Sequence, residues 1–414
     1  MLAEQAPRRP DDIEAFLLEE LPAMGPAPRG EEGLDRARRF FAAAGDPQDS
    51  VRQVHIVGTA GKGTAAAAIV GRLVGAGARV ASHMSPHVYD LRERLLLNGR
   101  LPEWDQVADA LEALWPAMQQ IEASDGRPPS FFELTTAMAW QIGRMADVDY
   151  LVTEAGIGGE FDATNAISRL DKISVIMPIG YDHLEILGDD LTEIARTKAD
   201  VIMTGGDVVV APQPWPEADA VVQATVDARR ARAHRVADLG SDWIAQAAVV
   251  ADRVAQLLAD DRLDLTAHPV PVHLPGRLER LDAAGRTIVL DGAHNPLKLR
   301  TLADHMARPA DVAVVALSVE KDLEACAIEL ARLAPTIITA QFAIIAAGRV
   351  IRQSWPTHEL AEAIRKADPT RTVIESTDVE TAMTDALERT GAGTNIVATG
   401  SFMMLEPARE ASRI

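Results

Sequence analysis

The chain has 414 residues and carries 61 acidic against 41 basic side chains, a formal charge of -20, which excludes a general nucleic-acid or anionic-membrane surface because such surfaces need clustered Lys and Arg. Hydrophobic residues at 47% and charged residues at 25% exclude a disordered or fibrous chain and leave a globular one; at roughly 150 residues per domain, a single core is excluded as well. The sole cysteine, Cys326, excludes an intrachain disulfide and a Cys-rich zinc site, and no stretch resembles a signal peptide or approaches the ~20 apolar residues of a membrane span, so a cytoplasmic chain without a membrane partner is expected.

In chain order, residues 12–44 predict helices: Ile13, Phe16, Leu17, Leu34, Phe40 and Phe41 recur at roughly helical spacing around a Pro/Gly-rich break at 22–30. From Val51 short β-branched runs alternate with longer Ala/Leu-rich stretches: VHIVG, a helix from Gly63, VDYLVTEAG, KISVIMPIG, a helix through Lys198, then DVVVAP. That rhythm predicts parallel strands joined by crossover helices. A second cycle runs from TIVLDGAH at 287–294 through VAVVALS and PTIITAQ to NIVATGS at 395–401. The bridge, HPVPVHLPGRLERLDAAG, is rich in Pro and Gly and places a boundary within 275–286.

The segment after the first predicted strand reads Gly58-Thr59-Ala60-Gly61-Lys62-Gly63-Thr64 and opens an Ala-rich helix. Glycine lets backbone N–H groups approach a phosphate, the helix N-terminus adds positive potential, Lys62 neutralises charge, and Thr64 can hold Mg²⁺. The string is not a strict G-x-x-x-x-G-K-[ST], because Ile56 stands at its first glycine and Gly63 intervenes before the hydroxyl. A plain Gly-rich strand-to-helix turn is the alternative. The fold class expected is α/β: a P-loop parallel-sheet ATP-binding domain with N-terminal helices over 1–280, followed by a smaller Rossmann-like α/β domain over 281–414.

The loop resembles that of the folylpolyglutamate synthase and dihydrofolate synthase family, a branch of the muramyl-peptide-ligase superfamily whose usual string is G-T-N-G-K-G-[ST]. The resemblance continues in register through GDPQ (45–48), SPH (85–87), ER (93–94), FFELTT (131–136), EAGIGGEFDATN (154–165), YDHLEILG (181–188), TKAD (197–200), PGRLE (275–279), LDGAHNP (290–296), EKD (320–322) and TGS (399–401). It implies an ATP-dependent ligase that activates a carboxylate as an acyl phosphate and joins it to an amine, with a folate-like acid and L-glutamate as small-molecule partners, no nucleic acid, and a monomer. It also implies ATP and two magnesium ions, with Thr64, Ser85, Glu154, His183 and Lys198 as metal ligands. Lys198 matches a lysine that the superfamily carries as a carbamate, an anionic ligand. Lys62, His183 and Lys198 are the implied catalytic residues. Gly58, Thr59, Gly61, Lys62, Gly63 and Thr64 are implied to hold the nucleotide, with Arg277, Asp291 and His294 gripping its ribose and phosphates from the second domain. Two alternatives stand beside this reading: the same chemistry on a non-folate carboxylate, and a catalytically silent nucleotide-binding homologue.

Taken singly, these residues have plainer readings. His183 is a hydrogen-bonded histidine at a strand end, Lys198 a solvated charge on a helix, Phe131 and Phe132 core residues, and Asp162 and Asn165 turn formers. The chain departs from the family at Ala60, where asparagine is usual, and at Glu160, where a basic residue is common. It also departs between Asp238 and Pro275, where no G-x-H-Q-x-x-N-A segment is found and GSDWIAQAAVVADRVAQLLADD runs directly into a predicted helix.

Overall fold

The computed structural model describes residues 1–24, 28–240, 242–306, 308–346 and 349–413. Their contacts form two compact units, Met1–Gly180 with Ile186–Gly240 and Ile244–His273, and Leu274–Ile414 with Tyr181–Glu185 and Ser241–Trp243.

The N-terminal unit opens with α1 (Pro10–Ala15), which runs through a π turn at Phe16–Glu20 into α2 (Leu21–Ala23), and then α3 (Gly30–Ala43). Pro10 and Pro22 lie in first turns, where a missing N–H leaves no helical bond unmade. Residues 25–27 of the expected break lie outside the described residues. Ile13, Phe16, Leu17, Leu34, Phe40 and Phe41 are all buried, so the predicted apolar stripe is the face that packs. Its partners include Trp115, 5.1 Å from Phe16, and Trp140, 4.9 Å from Phe41, between ring centroids.

The chain continues as β1 (Arg52–Val57), α4 (Lys62–Gly75), β2 (Val80–His83), α5 (Trp104–Asp125), α6 (Phe131–Met145), β3 (Tyr150–Glu154), β4 (Ile173–Ile176), α7 (Leu184–Leu187), α8 (Leu191–Ala199), β5 (Asp207–Val210), α9 (Pro216–Ala228), β6 (Arg232–Arg235) and α10 (Trp243–Leu258). The strands form one parallel sheet in the order β2-β3-β1-β4-β5-β6. Central strands covered on both faces read as apolar runs, which is why β1, β3, β4 and β5 show in the sequence. The edge strands β2 (VASH) and β6 (RAHR) do not. The outer edge of β2 is capped by the returning chain: Ser82 N donates to Leu96 O, Met84 N to Arg94 O and Asn98 N to Val80 O. On β6 the side chains of Arg232 and His234 both reach Asp207 of β5.

After α10, residues 264–273 return as a strap over the last turns of α4. Val270 N donates to Gly71 O at 2.9 Å, and Arg72 donates to the carbonyls of Leu265 and Ala267 and pairs with Asp252. The strap lies so close that a Cβ on Gly71 or Gly75 would stand 2.3 Å from the carbonyl oxygen of Val270 or His268. The helix expected after Gly240 is α10, and its buried Gln246 holds the preceding loop by donating to Ala237 O at 3.0 Å and accepting from Leu239 N at 3.1 Å.

The C-terminal unit holds β7 (Glu279–Ala283), β8 (Arg286–Asp291), α11 (Pro296–His305), β9 (Val312–Val315), α12 (Leu323–Leu330), β10 (Thr336–Thr339), a hairpin of β11 (Ala343–Ala346) and β12 (Arg349–Gln353), α13 (Thr357–Ala367), β13 (Thr372–Glu375), α14 (Val379–Glu388), β14 (Asn395–Thr399) and α15 (Leu405–Ala411). Its sheet has the order β13-β10-β9-β14-β8-β7, parallel except for β7. Residues 279–283, read from the sequence as part of the bridge, therefore form an edge strand. The turn into β8 puts Ala284 and Gly285 at φ 53° and 78°, the two-residue hairpin geometry that Asn-Gly normally announces. Alanine at its first position hides it. Among the described residues no helix is long and apolar enough to cross a membrane.

Candidate active site

In the N-terminal sheet the strand order reverses about β1 and β4, and an open α/β sheet binds its ligands at the carboxyl ends of strands beside such a reversal. The loop from Gly58 to Thr64 leaves the end of β1 there. Gly58 has φ 147° and Gly61 φ 78°, conformations natural only to glycine. A Cβ at Gly58 would also meet the Met177 Cβ at 2.7 Å. Thr59 N and Ala60 N both donate to Pro178 O, while the Thr59 hydroxyl donates to Gly180 O at 2.8 Å. The loop is thus fixed to the segment that follows β4. Gly61 is the residue before α4, whose first N–H groups have no earlier helical carbonyl to bond and face forward.

Two ammonium groups converge on one carbonyl of this loop: Lys62 Nζ donates to Gly58 O at 3.1 Å and Lys198 Nζ donates to the same oxygen at 3.3 Å. Lys198 is only 4% exposed, which overturns its plain reading as a solvated charge on a helix. Thr64 Oγ1 is buried and has no hydrogen-bond partner.

Glu154 ends β3 and is buried, and its Oε2 accepts from Ser85 N at 3.1 Å. The turn after it is held by Asp162, whose Oδ2 accepts from Gly156 N at 3.0 Å and Ile157 N at 2.9 Å and whose Oδ1 accepts from Thr164 N and the Thr164 hydroxyl. Burial pushes the Asp162 carboxyl up, against the pull of those four donors. His55 of β1 closes the network with a ring nitrogen 2.8 Å from Thr164 Oγ1. Asp162 is therefore more than a turn former: it sets the path of the chain that leaves Glu154. Beside it lies a basic and aromatic group. The Arg94 guanidinium lies 4.9 Å from the centroid of the Phe131 ring and donates to His87 Nδ1 at 2.7 Å, and Phe132 meets the His83 ring edge to face at 5.3 Å. Phe131 and Phe132 are half-buried, and Phe131 packs against the margin of the N-terminal core. Burial and the neighbouring guanidinium lower His83 to about 3 and His87 to about 4, so both rings are neutral at physiological pH.

In the C-terminal unit Asp291 ends β8 buried, accepting from Leu278 N and Ala293 N at 2.9 Å each. It thereby joins the PGRLE turn to the LDGAHNP turn, which Gly292 N reinforces by donating to Gly276 O. Arg277 lies 4.3 Å over the Phe402 ring, and the same ring meets His294 at 5.8 Å. The segment Tyr181–Glu185 packs with this unit. There Asp182 accepts from Lys321 Nζ at 2.7 Å and Asn295 Nδ2 at 2.8 Å, with Lys298 Nζ at 3.5 Å. Burial favours its neutral form, yet Lys298, His294 and Lys321 outweigh that and hold the carboxyl well below the usual carboxylate range.

Of the expected metal ligands, Thr64, Ser85, Glu154 and Lys198 fall in the N-terminal unit, where Ser85 and Glu154 touch. His183 falls in the C-terminal one, its ring 3.7 Å from Glu185 and 3.8 Å from Asp182, with a left-handed backbone at φ 53°. Among the described residues no three His, Cys, Asp or Glu side chains gather as a protein-only metal cage. Asp182 is legible beside His183 at the end of the strand ISVI, but its partners Lys321 of EKD and Lys298 are not marked by any pattern that joins them to it. The signal for Lys298 was its place in the first turn of α11, directly after the LDGAHNP motif that carries His294 and the N-cap Asn295.

Residues 276–402 match the family described as Mur ligase, glutamate ligase domain. A dihydrofolate synthase/folylpolyglutamate synthase of Mycobacterium tuberculosis is 30% identical over 470 aligned positions, covering 97% of this chain and 94% of that one. A probable bifunctional folylpolyglutamate synthase/dihydropteroate synthase of Halobacterium salinarum is 34% identical over 332 positions, covering 72% of this chain and 40% of the relative; the chain spans 35% of a similar Haloferax volcanii protein. Among solved structures, Mycobacterium tuberculosis folylpolyglutamate synthase complexed with ADP superposes with a TM-score of 0.82 at 25% identity, covering 97% of this chain and 99% of that one. With the α/β fold, the phosphate-type loop and this coverage together, the chain belongs to the folylpolyglutamate synthase/dihydrofolate synthase family of Mur-type ligases.

Proposed function

We propose that the chain is an ATP-dependent ligase that activates a carboxylate as an acyl phosphate and joins it to an amine, with a folate-like acid and L-glutamate as the pair. The observation that carries the reading is the convergence of Lys62 and Lys198 on the Gly58 carbonyl at the start of α4. The Lys62 cation and a helix N-terminus at one loop are a place for a polyphosphate, and the Lys198 side chain is buried against the same carbonyl. The names of the relatives supply the acid and the amine.

In this reading the backbone N–H groups of Gly61 to Thr64 and the Lys62 ammonium hold the β- and γ-phosphates, and Gly58 and Thr59 keep the loop open. The residues suit Mg²⁺: the Thr64 hydroxyl is buried without a partner, Glu154 at the end of β3 and Ser85 in contact with it add oxygen ligands, and Mg²⁺ is ordinarily bound by one or two carboxylates plus phosphates rather than by a protein-only cage. Thr64, Ser85, Glu154 and His183 would hold it, with Lys198 joining them as a carbamate. Bound there, the metal neutralises the charge that gathers between phosphate and carboxylate. Arg277 supplies a cation to the nucleotide, and Asp291 positions Arg277 and His294 by fixing the turns that carry them. The half-buried Phe131 and Phe132, with the Arg94 guanidinium, form the wall against which an aromatic acid would lie.

The experiment is ADP release with a panel of acids, including dihydropteroate and tetrahydrofolate, crossed with L-glutamate and other amines. Release that needs both glutamate and a folate-type acid is expected. Amine-dependent release with a different acid would move the chain to the same chemistry on another carboxylate, and no amine-dependent release with any pair would leave a nucleotide-binding homologue.

A further inference from the structure

The loop from Ala155 to Asn165 is fastened to three different elements of the N-terminal unit. It leaves β3 at Glu154. In its middle the Glu160 N–H donates to Thr197 O of α8 at 2.8 Å. The two chains lie so close there that a Cβ on Gly159 would stand 2.7 Å from Thr197 O and 3.0 Å from the Cα of Lys198. Near its end, Thr164 Oγ1 lies 2.8 Å from a ring nitrogen of His55 on β1. Between these points the loop is bonded to itself: Asp162 N donates to Gly159 O at 3.1 Å, Asn165 N to Asp162 O at 2.8 Å, and Asn165 Nδ2 to Glu160 O at 3.0 Å. The three fastenings therefore belong to one body.

At the His55 end, donor capacity fixes the direction of every bond. The Asp162 carboxylate takes the N–H groups of Gly156, Ile157 and Thr164 and also the Thr164 hydroxyl, and an ionised carboxylate only accepts. The single proton of the Thr164 hydroxyl is thus committed to Asp162, and its oxygen accepts from His55 Nε2. The other ring nitrogen, Nδ1, is buried with no partner among the described residues. Burial and then Lys172 push the ring well below the usual 6.5, so the imidazole is neutral, with its proton on Nε2 and a bare Nδ1.

We infer that His55 is a positioning residue: through Thr164 and Asp162 it holds the one loop that joins the Glu154 end of β3 to the Lys198 turn of α8, so that these two expected metal ligands keep one fixed relation. The inference rests on the metal-dependent ligation proposed above. His55 stands on β1, the strand that runs directly into the phosphate loop at Gly58, so the same donor refers both ligands to the place where the phosphates are held. It does this from below the site and meets no substrate.

Nitrogen NMR of the full chain with labelled histidine tests the first link in the parent. The His55 resonances, assigned by their loss in His55→Gln, are expected to show a proton on Nε2 and none on Nδ1; a proton on Nδ1 would overturn the inference without recourse to any folded variant. Amide hydrogen exchange tests the loop. His55→Leu and Thr164→Val break the same link from its two sides, and in each the Gly156, Ile157 and Glu160 amides are expected to exchange about tenfold or more faster while Val208 and Val209 of β5 keep the parent's rate. His55→Gln, whose side-chain amide keeps a donor at the Nε2 position, is expected to restore protection of the loop. Loop amides that do not respond, or that speed up only together with β5, would show that His55 serves the core alone. The third measurement is manganese taken up with ADP, read from the paramagnetic resonance of the free ion. His55→Leu and Thr164→Val are expected to need about tenfold or more manganese for half-saturation, the double variant no more than either single one, with ADP binding in the absence of metal unchanged. Equal manganese uptake in parent and variants would overturn the inference. A parent that takes up no manganese with ADP would strike the ligase reading instead, and the tautomer and exchange results would still decide the link.

Discussion

Lys62 is the residue on which the nucleotide reading is most exposed. Lys62→Ala removes a charge that the loop presents to the phosphates, and ADP release is expected to fall to background; turnover near that of the parent would show that the phosphate loop lies elsewhere. A second residue-scale prediction concerns Glu133 of the FFELTT motif. Its carboxylate pairs with Arg36 of α3, the two side chains being 6% and 2% exposed. Breaking one partner of such a pair leaves a buried charge alone, so Arg36→Ala is expected to lose about 3–5 kcal/mol in denaturant unfolding, and a loss below about 1 kcal/mol would mean that the pair is wet. The histidines of the basic and aromatic group set a pH dependence. His83 and His87 are lowered from 6.5 to about 3 and about 4, first by burial and then by Arg94. Below the unfolded value the unfolded chain binds protons that the folded chain refuses, so stability is full above about pH 6.5 and falls as pH drops towards 4. Each such histidine contributes up to about 1.4 kcal/mol per pH unit. His83→Gln is expected to remove one histidine's share of the slope between about pH 4.5 and 6.5, and an unchanged slope in denaturant melts would refute the assignment. Lys62, Glu133 and His87 were legible as motif members; His83 and partners such as Arg36 and His55 were not, because only the fold brings them near.

At the scale of elements, strands covered on both faces and strongly amphipathic helices could be read directly, as β1, β3, β4, β5 and α3 show. Elements whose residues serve an edge or a turn could not. β2 and β6 are too short and polar for an apolar run, and β7 with its Ala-Gly turn read as a linker. The strap over α4 left a different trace: Gly71 and Gly75 sit inside a helix, where glycine costs about 1 kcal/mol relative to alanine. In an unobstructed helix Gly71→Ala would therefore stabilise. Here its Cβ would stand 2.3 Å from Val270 O, so Gly71→Ala is expected to destabilise the fold and to speed proteolytic cleavage within 264–273, read by mass spectrometry of the fragments. A variant that is both more stable and equally resistant would show that the strap does not lie on the helix. α6 offers a milder case. Ser130 caps it in a reciprocal box with Glu133, and Ser130→Ala should cost about 1 kcal/mol.

For the whole molecule, length and the rhythm of strands and helices spoke of two α/β units, and the ordered motifs carry the family resemblance. The motifs did not show that Asp182, adjacent to the expected metal ligand His183, packs with Lys298 and Lys321 in the C-terminal unit; side chains far apart in sequence meet there for reasons of topology, which no local pattern records. A ligand that binds only the folded chain stabilises all of it. Mg²⁺ and ADP at a hundredfold excess over the dissociation constant are expected to add about 2.7 kcal/mol to unfolding, and Lys62→Ala to abolish that gain. A shift of equal size in the variant would place the nucleotide away from the loop.

The two borders of the N-terminal sheet bear on how the protein behaves in a crowd. Hydrogen bonds from the 94–98 segment already occupy β2, and β6 turns Arg232, His234 and Arg235 towards its neighbours and solvent. A strand from another chain approaching either border finds the backbone taken or must dehydrate cations. Six short parallel strands would otherwise be a template for fibrils, and this sheet ends where the protein ends.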